Sequence, residues 1–116
     1  MSIQKFEDII CWQKSRILTN DIYEAFKFLK DFNFKDQICR ASVSITCNIA
    51  EGFERKSKRD FARFLYIAIG SASEVKSLLY LALDRNYLST ESHLKLIEQS
   101  NEVSKIIRGL IKSLEK

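Results

Sequence analysis

The densest run of chemistry-bearing side chains is Arg55-Lys56-Ser57-Lys58-Arg59, with Arg63 one helical turn beyond. Ammonium and guanidinium groups at that density bind polyanions. Their contacts to phosphate position a nucleic acid without reading its sequence. The plainer reading of such a run is a solvated loop, so its placement in the fold decides between the two. Little else resembles a reactive site. His93 is the single histidine, and its place at the start of a helix beside Ser92 predicts a solvated surface residue. Cys11, Cys39 and Cys47 are odd in number and lack metal-ligand spacing. They read as small buried hydrophobes of a protein in the reducing cytoplasm. Asn48 and Glu51 suggest helix-to-helix hydrogen bonds more than a catalytic pair. With no glycine-rich phosphate loop, paired-cysteine spacing or Glu-x-x-His pair, the chain reads as non-enzymatic, without metal or cofactor.

The elements that position these residues must be long helices. Proline is absent and Gly52, Gly70 and Gly109 are the only glycines, so the frequent turns of a β or α/β protein have no means of forming. Hydrophobic residues at 46% of the 116 suffice for one core and a single domain over residues 1–116. Four seams at steps of three and four follow. The first is Cys11, Ser15, Leu18, Ile22, Ala25 and Leu29, in a helix over 9–29. The second is Ile38, Ser42, Ile45, Ile49 and Phe53, in a helix over 35–53 that Gly52 helps to stop. Ser57 caps a third helix, with Asp60 as its capping-box partner and Phe61, Leu65, Ala68, Ala72, Val75, Leu79 and Ala82 as its seam. Ser89 or Thr90 caps the fourth, whose seam is Leu96, Ser100, Val103, Ile107, Leu110 and Leu114. Short connectors between helices of this length predict an all-α, antiparallel up-down-up-down four-helix bundle.

That topology gathers charge unevenly. The end holding the second connector collects twelve basic and seven acidic residues, a net +5, and the other end seven basic and eight acidic, a net −1. A symmetric oligomer would repeat the positive end around a ring. The candidate nucleic-acid site is therefore Arg55, Lys56, Lys58, Arg59 and Arg63, for RNA or DNA. The alternative is a protein–protein scaffold whose positive end only aids solubility.

The third helix is the anomaly. Opposite its seam run Arg63, Tyr66, Gly70, Ser73, Ser77, Tyr80 and Asp84, with charge only at the ends. A helix bland all round is normally covered all round. Tyr66, Gly70, Ser73, Ser77 and Tyr80 are thus the candidate interface of a homo-oligomer. The stretch from Phe64 to Leu83 has the length of a membrane span. Glu74 and Lys76 at its centre would each cost about 2.5–3.5 kcal/mol in lipid, so no membrane association is expected. The isolated charges Arg40 and Glu74 are expected to pair, within or between chains, because a hairpin turn centred between residues 55 and 56 sets Arg40 level with Ser71.

Several blocks resemble the 23S rRNA-intervening sequence protein family. They are Trp12; Gln37, Arg40, Ala41, Ser44 and Ile45; Asn48-Ile49-Ala50-Glu51-Gly52; and Phe64, Leu65, Ala68, Gly70, Ser71 and Glu74. Thr46 stands where that family commonly has proline, and the connector before Gln37 is shorter than usual. The resemblance implies a left-handed bundle assembling as a homopentamer, with no enzymatic activity. A related accessory protein of diversity-generating retroelements, a basic pentamer that works with nucleic acid, is the functional analogy.

Overall fold

A computed structural model of the protein describes residues 3–116. A short 3-10 turn, Phe6–Asp8, leads into four helices: α1 (Ile10–Ala25), α2 (Phe32–Phe53), α3 (Lys58–Asp84) and α4 (Thr90–Leu114). Each helix packs against its neighbours in sequence, α4 closes the ring on α1, and among the described residues the diagonal pairs do not meet. This is the up-down-up-down four-helix bundle, 43 Å long and about half as wide. The 27 residues of α3 set the length, since each adds about 1.5 Å.

The seams of α2, α3 and α4 close much as their periodicity dictates. All seven seam residues of α3 are buried, and Phe64 and Leu78 widen that face. By length and composition α3 is long and apolar enough to cross a bilayer; here its seam face packs on α2 and α4. In α4, Ile111 takes the buried position expected of Leu110, which is half-buried.

The first connector differs from expectation. α1 ends at Ala25, and Phe26, only 1% exposed, carries the seam inward in place of Ala25 and Leu29. Phe26 packs on Phe34, and Phe34 meets Tyr87 edge-on at 5.2 Å. α2 begins three residues early because the Asp31 carboxylate accepts from the Phe34 amide at 3.2 Å and caps it. The Tyr87 hydroxyl donates to the same carboxylate at 2.6 Å, joining the first and third connectors.

Ser57 and Ser89 cap α3 and α4, accepting from the amides of Asp60 and Ser92 at 3.1 Å each. α3 ends in a paired closure: the Tyr87 amide donates to Ala82 and the Asn86 amide to Leu83. Asn86 sits at φ 59°, a left-handed conformation that asparagine tolerates better than most residues.

Gly52 does not stop α2 through a left-handed turn. It is buried inside the helix, where a Cβ would lie 2.6 Å from Cβ of Phe64. The glycine is there for close approach of α2 and α3. Gly52 faces Phe64, and the Ser44 and Ser71 hydroxyls share a 2.9 Å hydrogen bond. These contacts shift the register by roughly one helical turn from the expected one.

That register sets Arg40 nearly level with Glu74, yet both side chains are exposed. Arg40 Nε instead bonds Asp36 one turn back at 2.7 Å. No buried Arg40–Glu74 pair forms within the chain, because both groups lie on the outward side of their helices. His93 also departs from expectation. It is 4% exposed, its Nδ1 lies 3.0 Å from the Leu79 carbonyl, and Tyr80 packs edge-on against it. A carbonyl only accepts, so Nδ1 carries the proton and donates. Its position at i−3 from Leu96 puts it on the α4 seam. Cys47 is exposed, whereas Cys11 and Cys39 are buried.

Candidate nucleic-acid interface

The N-terminal turns of α3 and the C-terminal turns of α4 lie side by side, as antiparallel packing requires. Between them runs an open groove. One hollow, about 880 Å³, is lined by Lys58, Arg59, Arg63, Tyr66 and Leu114. A second, about 770 Å³, continues it between Tyr66, Ile69, Lys105, Arg108, Ile111 and Lys112. Tyr66 and Glu115 line both and stand at the junction. A smaller recess beside the first carries Phe53, Arg55, Lys56 and Phe61.

The five basic residues singled out in the sequence divide into two groups. Arg55 is held by Glu51 at 3.0 Å and lies over the Phe64 ring at 4.9 Å. Arg63 lies 3.7 Å from Asp60 and 5.2 Å from the centre of the same ring. Both stack on Phe64 and fasten the connector. Lys56, Lys58 and Arg59 are exposed and, among the described residues, form no ion pair.

Three more unpaired, exposed cations stand on the facing helix: Lys105, Arg108 and Lys112. Their spacing of three and four puts them on one face of α4, a pattern readable from the sequence once that helix is paired with the start of α3. The groove thus has cations on both walls and apolar or aromatic groups between them. Its acidic groups are Asp60 and Glu115. Glu115 accepts from the Tyr66 hydroxyl at 3.2 Å. Its charge, with lesser help from burial and that bond, pushes the Tyr66 phenol above the ordinary tyrosine range.

The candidate interface residues of α3 are all exposed in the single chain, and a Cβ at Gly70 would meet nothing within 4 Å. Tyr66 and Tyr80 turn toward α4, to Glu115 and His93. Gly70, Ser73 and Ser77 remain as the outward strip, flanked by Ile67 and Leu81, each nearly half exposed. Asn48 donates to the carbonyl and hydroxyl of Ser44, and Glu51 holds Arg55, so against expectation the bonds of these two stay within α2 and its connector rather than joining two helices. Among the described residues no three His, Cys, Asp or Glu side chains come together as metal ligands.

The profile of the 23S rRNA-intervening sequence protein family matches residues 7–109. The chain belongs to that family. Among solved structures, it is similar to a protein of unknown function from the S23 ribosomal protein family of Bacteroides thetaiotaomicron VPI-5482. Identity is 31%, with 89% of this chain and 99% of that one covered and a TM-score of 0.85. No curated protein matches the chain. The family blocks have structural roles here. Gly52 of the Asn48–Gly52 block is the α2–α3 contact point, and Ser71 of the second block bonds Ser44.

Proposed function

We propose that this member of the 23S rRNA-intervening sequence protein family is a non-enzymatic, homo-oligomeric scaffold that binds nucleic acid at its basic end. The observation that carries the reading is the set of six exposed, unpaired cations around one groove: Lys56, Lys58 and Arg59 on one side, and Lys105, Arg108 and Lys112 on the other. Unpaired charges keep their full field for an external anion, whereas Arg55 and Arg63 already have partners. Phosphate contacts of this type give affinity with little sequence preference.

Self-association rests on the outward strip of α3, where Ile67, Gly70, Ser73, Ser77 and Leu81 form an exposed surface around the Glu74 carboxylate. The family resemblance makes a pentamer the expected assembly, and a ring would repeat the basic groove and raise avidity. Changing Lys56, Lys58 and Arg59 together to glutamate tests the reading. Binding of RNA and DNA at low salt should be abolished while light scattering reports an unchanged particle mass. Gly70→Arg should do the reverse to the assembly, releasing smaller species. A wild-type protein that shifts neither RNA nor DNA would leave the basic end as a solubility device on a protein–protein scaffold.

A further inference from the structure

The groove is more than a charged surface. Its cations alternate with apolar and aromatic groups along a continuous path. From α4, Lys105, Arg108 and Lys112 flank Ile69 and Ile111. Tyr66, 54% exposed, stands where the two large hollows meet. Beyond it Lys58 and Arg59 flank the way to the recess that holds Phe61 and Phe53.

A duplex would engage only the rims of such a groove, since it offers phosphates outward and keeps its bases stacked inside. A single strand uses both layers: its phosphates meet the cations, and its unstacked bases meet the rings and the apolar floor. From this placement we infer that the groove between α3 and α4 takes single-stranded nucleic acid, with Tyr66 as a platform on which a base stacks. The inference rests on the nucleic-acid reading above and adds the strand state and the contact residue.

Charge complementarity selects this occupant over an apolar helix. Against the unpaired cations on both walls the groove sets only Asp60 and Glu115. Glu115 already holds the Tyr66 hydroxyl, which fixes the ring without using its faces.

Fluorescence anisotropy with a labelled uridine oligonucleotide, and with a duplex of equal length, tests the inference on the full chain. The wild type should bind the single strand more tightly than the duplex. Tyr66→Leu should weaken single-strand binding about tenfold, the order of one lost base–aromatic stack, and leave duplex binding unchanged. Tyr66→Phe keeps the ring and should restore wild-type affinity. A 2-aminopurine oligonucleotide, quenched when its base stacks, provides a readout on the wild type that depends on no variant folding. Quenching on binding supports the platform, and unquenched binding overturns it.

Salt-sensitive binding that prefers duplex, or is indifferent to Tyr66→Leu in a protein of normal helicity, would overturn the inference and leave the nucleic-acid reading standing. If neither oligonucleotide binds at low salt, both fall. An acidic amphipathic peptide of glutamate and leucine that displaces the single strand with higher affinity would reassign the groove to protein partners.

Discussion

Gly52→Ala should destabilise the protein, although alanine is the better helix former. The exchange inside α2 would add about 0.5–1 kcal/mol of stability through backbone entropy alone. Against that, the new methyl would lie 2.6 Å from Cβ of Phe64, 3.1 Å from Cδ1 of Phe61 and 3.3 Å from Cγ of Phe64. The nearest atom is tied to the α3 backbone, so no rotamer change relieves it and the two helices must separate locally. Forcing a methyl into a filled core typically costs about 1–3 kcal/mol, and the movement also loosens Phe61 and Phe64. The net loss should be on the order of 1–2 kcal/mol, read as a lower urea midpoint at fixed protein concentration with an unchanged slope. Gly109→Ala is the internal control. It is helical too, its Cβ would meet nothing within 4 Å, and it should gain up to about 1 kcal/mol. A Gly52→Ala protein as stable as the Gly109→Ala protein would refute the close-approach account of this glycine.

The thiols should react in order of exposure. Cys47 is open to a disulfide reagent in the native protein, whereas burial pushes Cys11 up to about 12 and it should react only on global unfolding. Stopped labelling followed by peptide mass analysis would show the order, and early modification of Cys11 would contradict the core placement. The connector tie should appear in acid. The Tyr87 hydroxyl first, then the Phe34 amide, hold Asp31 below its ordinary value of 3.8. Its contribution is present above that value and fades as pH falls through the lower folded one, so Tyr87→Phe should flatten the acid limb of the stability profile. Glu115→Gln removes a negative charge from the groove and should tighten oligonucleotide binding a few-fold at low salt; weaker binding would count against the groove as the site.

Much of the fold is legible in residue order because each helix carries its own seam and cap. The seven buried seam positions of α3 and the Ser57 cap are local signals, and local signals survive in a bundle with short connectors. The misses are those that depend on a partner element. Asp31 caps α2 inside what reads as a connector, and the Tyr87 hydroxyl that shares it lies 56 positions away. His93 looks solvent-facing among polar neighbours, yet the Leu79 carbonyl and the Tyr80 ring on α3 enclose it. Gly52 carries a stop-signal type but serves a packing contact with Phe64. The site shows the same division. The basic run from Arg55 to Arg59 is a local signal. Which of its members are free depends on Glu51 and Phe64, and the opposing wall of Lys105, Arg108 and Lys112 becomes a wall only once α4 lies beside α3.

The salt dependence of oligonucleotide binding tests the central claim most directly. Each phosphate neutralised on a single strand contributes about −0.7 to the slope of log affinity against log salt. With Lys56, Lys58, Arg59, Lys105, Arg108 and Lys112 all engaged, the slope per groove should approach about −4, and replacing Lys56, Lys58 and Arg59 with neutral glutamine should remove about half of it. A binding curve indifferent to salt, or a slope unchanged when those three charges are neutralised, would contradict a nucleic-acid interface at this end of the bundle.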